Sequence, residues 1–143
     1  MSEWLTVSEA VAAAFVALAL LIVCSIWARR HALAASGPVL LCAFRTPTAK
    51  AWRLGLLRFG PEALEWFTFA GLTLRPSRSW RRSSVRMGVA QPTRDLIPGI
   101  SDPVRVSAEA DGAPFELAMA RGSHTAMRSW MESAPPGYGV NIT

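Results

Sequence analysis

A cluster of arginines is the part of this sequence whose residue types and spacing are best suited to bind a ligand. It holds five bases within residues 75–86, interleaved with serines and Trp80: Arg75, Arg78, Arg81, Arg82 and Arg86. Guanidinium groups bind phosphate and carboxylate oxygens in pairs, so the cluster predicts an anionic partner. The charge is uneven along the chain, because residues 29–94 carry a net charge of +10 while the segments on either side are net acidic.

The residues that usually carry catalysis or hold a metal are scarce. His31 and His124 have no Cys, Asp or Glu at metal-ligand spacing, and the carboxylates are scattered singly along the chain. The motifs GxSxG and HExxH and the phosphate-binding P-loop do not occur. Cys24 and Cys42 are too few for a disulfide framework. We therefore expect a protein that is not an enzyme and that needs neither a cofactor nor a metal.

A long apolar run near the N-terminus predicts a transmembrane helix. Residues 10–28 contain no charge, no Gly and no Pro, and are followed at once by Arg29 and Arg30. A helix of this length extends about 28 Å, close to the thickness of the hydrocarbon core of a bilayer. Trp4 and Trp27 lie near its two ends, where indole rings suit the interface, so these tryptophans and the two arginines are predicted membrane-interface residues.

A cleaved signal peptide is the alternative to a membrane anchor, and residues 32–34 resemble a small-residue cleavage site. The order of charges favours the anchor, because Glu3 and Glu9 precede the apolar run and the bases follow it, the reverse of a signal peptide. Bases are retained on the cytoplasmic side. We predict a single pass through the plasma membrane, with residues 1–9 outside and a basic linker, residues 29–37, that leads into a cytoplasmic domain.

Short apolar segments follow, broken by Gly, Pro or Asp, and predict a mainly β domain over residues 38–134. The predicted strands are residues 39–44, 52–59, 64–69, 72–74, 80–89, 104–108 and 115–120. The last two alternate apolar and polar residues around Asp111 and Gly112, which predicts a hairpin with a tight turn. A second turn is predicted at Gly60, and residues 90–103, with three prolines, are predicted to form a loop.

One helix is predicted in the domain, over residues 124–134, with Ser123 as its N-cap and residues 135–143 as a tail. Its apolar residues recur at helical spacing: Met127, Trp130, Met131 and Ala134. Strands followed by a C-terminal helix are the element order of pleckstrin-homology domains. We therefore predict an N-terminal transmembrane helix and a small pleckstrin-homology-like barrel of about seven antiparallel strands capped by this helix. A β-sandwich with a peripheral helix is the alternative.

The likeness to pleckstrin-homology domains extends the basic site to the first strand connection. Bases in that connection commonly hold a phosphoinositide headgroup, which makes Lys50 and Arg53 the residues that an analogous site would use. The short linker holds the domain against the cytoplasmic leaflet, so anionic lipid headgroups are the nearest anions, and we predict a module that binds them. Two alternatives stay open: a solvated basic face with no specific ligand, or an accessory protein that docks on another membrane protein complex. No nucleic acid is expected, because no nucleic-acid-binding motif occurs.

Three short stretches resemble a known protein family. They are AWRLGLLRFG at residues 51–60, LTLRP at residues 72–76 and SWMESAPP at residues 129–136, after a single N-terminal apolar helix. Together they resemble the small actinobacterial membrane proteins catalogued as domain of unknown function 2550. The resemblance covers nearly the whole chain and implies a single-pass membrane protein of unassigned activity. It implies no catalytic residues.

Overall fold

The structure, a computed structural model, describes residues 2–133. Helix α1 spans Ser2–Ala35 and helix α2 spans Arg121–Glu132. Between them lie seven strands: β1 Val39–Arg45, β2 Arg53–Phe59, β3 Ala63–Thr68, β4 Arg78–Arg81, β5 Val85–Pro92, β6 Pro103–Ala110 and β7 Ala113–Ala120. Ala134 and the predicted tail lie outside the described residues.

The seven strands pair antiparallel in one sheet, in the order β4-β3-β2-β1-β7-β6-β5. The sheet folds back on itself, because Trp80 of β4 stacks on Phe115 of β7 with 4.4 Å between ring centroids, although β3, β2 and β1 lie between those strands in the sheet. Alternate residues point inward and form the core, which Met127 of α2 joins. The long apolar helix, the seven antiparallel strands and the C-terminal helix confirm the predicted pleckstrin-homology-like architecture.

Two turns form where the sequence predicts them. Asp111 and Gly112 have φ angles of 51° and 78°, both in the left-handed region that a two-residue hairpin between β6 and β7 requires. Gly60 donates its backbone N–H to the carbonyl oxygen of Ala63 and closes the turn between β2 and β3. Local sequence is sufficient to specify both turns, since each depends on a few neighbouring residues.

Two of the predicted strands differ in the structure. Residues 72–74 lie in the connection between β3 and β4 and pair with no strand, although their apolar side chains suggest one. Residues 80–89 are divided, because β4 ends at Arg81, a 3-10 helix spans Arg82–Ser84, and β5 follows. The chain passes here from one edge strand of the sheet to the other, which a continuous strand cannot do.

The start of α2 also differs from the prediction. The helix begins at Arg121 rather than at residue 124, and its N-cap is Ala120, whose backbone is extended and which makes no side-chain capping bond. Ser123 therefore lies inside the first turn rather than at the N-cap. The apolar face is as predicted over the described residues, since Met127 is buried and Trp130 and Met131 pack against the core.

Helix α1 continues without a break to Ala35, where the sequence predicts a linker over residues 29–37. The reason is tertiary packing: Leu33 is buried against Leu56 and Phe67 on the outward side of β2 and β3. By its length and composition α1 could cross a membrane. Its last turns are thus part of the β domain rather than a flexible connection to it.

Candidate functional site

The β domain has two ends that carry different residues. At the helix end, Trp130 of α2 stacks on Phe59 and donates from Nε1 to the carbonyl oxygen of Gly60 at 2.9 Å. At the loop end lie residues 46–52, which connect β1 to β2, and residues 69–77, which connect β3 to β4. The two ends are separated by the length of β2, which begins at the loop end and finishes at the helix end.

Arg53 and Arg78 lie together at the loop end. Arg53 pairs with Phe44 in the sheet register, and Arg78 pairs with Trp66. The two rings are 5.4 Å apart between centroids, and the guanidinium carbons lie 5.9 Å (Arg53 to Trp66) and 5.4 Å (Arg78 to Phe44) from the ring centroids. Cation–π contacts therefore hold both positive charges over one aromatic pair. This arrangement can hold an anionic group between two guanidinium groups.

No carboxylate neutralises this pair within residues 2–133. The salt bridges of that part of the chain join acids to other bases, which are Arg45, Arg58, Arg105, Arg121 and Arg128. Arg53 and Arg78 are both exposed. An anion approaching between Arg53 and Arg78 would therefore meet two guanidinium groups that form no salt bridge with a carboxylate of the described chain.

Lys50, in the connection between β1 and β2, lines a separate pocket of about 330 Å³. In this pocket Trp52 donates from Nε1 to Oδ2 of Asp95 at 2.8 Å, and the Arg45 guanidinium lies 4.1 Å from the Trp52 ring centroid. The hydrogen bond from Trp52, and to a lesser degree the nearby Arg45, holds the pKa of Asp95 below its usual value. The pocket thus contains a carboxylate, which makes it a poorer site for an anion than the space between Arg53 and Arg78.

The other bases of the predicted set are divided among three places. Arg75 is exposed at the loop end, in the connection between β3 and β4. Arg81 and Arg82 lie at the helix end, where the Arg82 guanidinium carbon is 4.1 Å from the Trp130 ring centroid. Arg86 is exposed on β5. The structure therefore brings four of the seven predicted residues to the loop end and holds the other three elsewhere.

Arg29 has a role that the sequence gives no means of predicting. Expected at the membrane interface, it is only 5% exposed and is the buried charged residue of the described chain, residues 2–133. Its Nε donates to the carbonyl oxygen of Thr73 at 2.7 Å, and a terminal nitrogen lies 3.5 Å from the carbonyl oxygen of Phe69. Arg30 is exposed, with its guanidinium carbon 5.6 Å from the Phe69 ring centroid. These contacts fasten α1 to the loop end.

The remaining candidate residues are the possible metal ligands, the cysteines and the interface tryptophans. Residues 2–133 contain no group of three His, Cys, Asp or Glu side chains that could hold a metal ion. Cys24 and Cys42 are free, and burial raises the pKa of the Cys42 thiol, so that it behaves as a packing residue. Trp4 and Trp27, the predicted interface tryptophans, are both exposed on α1.

The chain is similar to one protein family and to two solved structures. A family model described as protein of unknown function (DUF2550) matches residues 16–137. A solved structure from a systematic screen for protein–lipid interactions in Saccharomyces cerevisiae is 18% identical, with a TM-score of 0.45, over 66% of this chain and 88% of that one. The Slm1-PH domain in complex with phosphoserine is 19% identical, with a TM-score of 0.46, over 66% of this chain and 89% of that one. No curated protein matches the chain.

Proposed function

The chain belongs to the DUF2550 family, and from the geometry of its loop end we propose that it is a membrane-anchored binding module for anionic lipid headgroups. In this proposal α1 spans the plasma membrane once, the N-terminus lies outside, and the β domain lies against the cytoplasmic leaflet. The module binds and performs no catalysis. Arg53 and Arg78 are its central ligand residues, assisted by Arg75 and Lys50.

The direction of α1 along the β domain is the observation that carries the proposal. Leu33 packs on β2 and β3, and Arg29, one helical turn nearer the N-terminus, bonds to the connection between β3 and β4 at the loop end. The helix therefore runs toward the loop end, and its apolar run continues beyond it. A bilayer that contains residues 10–28 would lie next to the loop end and away from α2.

The same contacts favour a permanent anchor over a cleaved signal peptide. Cleavage after residue 34 would remove Arg29 and Leu33 from the fold and would leave Leu56 and Phe67 without the helix that covers them. A segment that is discarded has no reason to fill a buried site in the mature domain. The packing thus agrees with the order of charges around the apolar run.

Charge supplies the attraction in this proposal. Each Lys or Arg near an anionic leaflet contributes about 1 kcal/mol of attraction, and the effect fades within a screening length of the surface. Arg53, Arg75, Arg78 and Lys50 all belong to the end of the domain that faces the bilayer. Arg81 and Arg82 belong to the opposite end, beyond that range, and we assign them no part in lipid binding.

Hydrogen exchange on the full chain in lipid nanodiscs tests the proposal. Nanodiscs of phosphatidylcholine alone are compared with nanodiscs that also contain phosphatidylglycerol, and exchange is followed at residues 46–53 and 69–78. We expect slower exchange with the anionic lipid, and we expect the difference to shrink as salt rises from about 0.1 M to about 1 M, where the screening length falls to about 3 Å.

Two matched pairs of substitutions locate the effect. Arg53→Gln with Arg78→Gln should strongly reduce the response to phosphatidylglycerol, whereas Arg81→Gln with Arg121→Gln, which removes the same charge at the helix end, should retain it. Equal exchange in the two kinds of nanodisc, or an equal loss in both double variants, would overturn headgroup binding at the loop end. In the first case crosslinking to neighbouring membrane proteins would be the next experiment.

A further inference from the structure

The connection between β3 and β4 exposes three large apolar side chains side by side with basic ones. Phe69, Leu72 and Leu74 are 38%, 67% and 58% exposed. Two basic residues adjoin them: the Arg30 guanidinium lies over the Phe69 ring, and Arg75 follows Leu74 directly in the sequence. A loop of this composition in a soluble domain would face water at a cost, since large apolar side chains gain free energy when they leave it.

We propose that this loop, residues 69–74, inserts Leu72, Leu74 and part of Phe69 into the interfacial layer of the same bilayer that α1 spans. The inference rests on the proposed function, because it requires α1 to be in the membrane, but it adds a second contact of different chemistry. The partner is the acyl and glycerol region of the lipid, not the headgroup charge. The domain then has two attachment points and one fixed orientation.

The attachment of the loop to α1 sets its depth. Arg29 follows directly after the apolar run and bonds to the carbonyl oxygens of Phe69 and Thr73, which both belong to the loop. Trp27, exposed and half a turn earlier, belongs to the level where indole rings meet the interface. The loop is therefore held at the level where the membrane segment ends, rather than at a distance from it.

The loop is also built to stay there. A Cβ atom at Gly71 would meet the Arg29 guanidinium at 3.3 Å and the carbonyl oxygen of Thr68 at 3.4 Å, so the backbone is packed closely around the arginine. The Gly71 backbone N–H donates to the Thr68 carbonyl oxygen and turns the chain immediately before Leu72. The apolar side chains are thus presented from a fixed turn rather than from a free segment.

Continuity with α1 selects the bilayer as the occupant of this surface. The exposed apolar surface of α1 ends at residue 28, and the loop continues it with three more apolar side chains on the adjoining domain. Arginines at its border can extend their charged ends to the headgroups while their aliphatic stems lie beside the acyl region. Apolar side chains bordered by arginines match the layered polarity of a membrane interface.

Fluorescence of the full chain in lipid vesicles tests the insertion. In a Cys24→Ala background, where Cys42 is buried, the variants Leu72→Cys and Glu62→Cys are labelled with the environment-sensitive dye NBD. Glu62 is exposed in the turn between β2 and β3 at the helix end. We expect blue-shifted emission at position 72 that is largely quenched by lipids spin-labelled high on the acyl chain, and emission typical of water, without quenching, at position 62.

The two proposals fail in different ways. If the dye at position 72 stays in water while the anionic-lipid response of hydrogen exchange persists, insertion is overturned and headgroup binding stands. Quenching in phosphatidylcholine vesicles without any anionic-lipid response supports insertion and removes headgroup binding. Blue-shifted emission that escapes quenching and grows with the protein-to-lipid ratio would mean that a second copy covers the loop, and would overturn insertion.

A second variant tests whether Arg29 holds the loop at its depth in the membrane. Arg29→Met should release the loop from α1, so quenching at position 72 should fall while α1 remains in the vesicles. Quenching that is unchanged in this variant would show that Arg29 does not set the depth of the loop. Circular dichroism of the Leu72→Cys chain, with and without Arg29→Met, checks that the β domain is folded.

Discussion

The Arg29 guanidinium of α1 donates from Nε to the carbonyl oxygen of Thr73 at 2.7 Å, across 44 positions of sequence. The bond solves two problems at once, because a buried guanidinium needs acceptors and the irregular connection between β3 and β4 has carbonyl groups that no strand pairs with. It joins the end of the apolar run of α1 and the loop end of the β domain into one packed unit.

Replacing Arg29 tests the attachment of α1 to the loop. Hydrogen bonds from a charged donor contribute about 1.5–3 kcal/mol, so Arg29→Met should accelerate hydrogen exchange at residues 69–77 by roughly one to two powers of ten. Arg30→Met, at an exposed neighbour, serves as the control and should change exchange there much less. Equal effects of the two substitutions would mean that the buried hydrogen bonds contribute little.

Leu33→Ala tests whether the last turns of α1 belong to the β domain. Leu33 is fully covered by Leu56 and Phe67, and truncation of a buried leucine costs about 2–5 kcal/mol. The free energy of unfolding of the β domain, measured with denaturant and tryptophan fluorescence in detergent, should fall by about that amount. Leu20→Ala, on the exposed part of α1, should leave the transition in place. A flexible linker would make the two variants alike.

Gly55→Ala tests the closest backbone approach in the sheet. A Cβ atom at Gly55 would collide with the Phe67 carbonyl and the Trp66 ring, both of which are buried, so neither neighbour can move away freely. We expect either loss of the folded domain or a free energy of unfolding that is lower by more than about 3 kcal/mol. Gly122→Ala, where a Cβ atom meets no atom of the described residues within 4 Å, should be neutral or slightly stabilising.

Labelling in intact cells tests the orientation. In the Cys24→Ala background, Glu62→Cys should react with a membrane-impermeant maleimide only after lysis, because we expect the domain on the cytoplasmic side. The buried Cys42 should give no background, as its raised pKa leaves no thiolate. A cysteine introduced at Ser2 should show the opposite pattern. Labelling of position 62 on intact cells would reverse the predicted topology.

The pH dependence of stability should contain a contribution from His124. Its Nε2 atom is buried with no hydrogen-bond partner among residues 2–133, and desolvation, with a smaller effect of Arg128, lowers its pKa from the usual 6.5. The unfolded chain then binds the proton more readily, so stability is intact above about pH 6.5 and falls as the pH drops below it. Thermal unfolding at about pH 7.5 and 5.5 should show this loss, and His124→Gln should reduce it. His31→Gln, at an exposed site on α1, should not.

Local patterns allowed several elements to be predicted from the sequence. The apolar run of α1, the turn at Asp111 and Gly112 and the apolar face of α2 depend on neighbouring residues, so their physics is present in the sequence itself. Residues 72–74 show the limit of such reasoning. Their composition indicates a strand, but the Arg29 guanidinium bonds to the carbonyl oxygens of Thr73 and Phe69, and the segment forms a loop around it.

The basic site shows the same division. An arginine-rich segment that follows a long apolar helix, and the expectation that it meets an anion, can be inferred from the sequence alone, because charge and hydropathy are properties of the chain. Which arginines lie together depends on the fold of the whole domain. Arg78 and Arg81 are the first and last residues of the same short strand, β4. Arg78 lies over the Phe44 ring at the loop end, whereas Arg81 lies at the helix end. The partner of Arg78 there is Arg53, from another strand, since the sheet register and not the spacing in sequence sets which side chains meet.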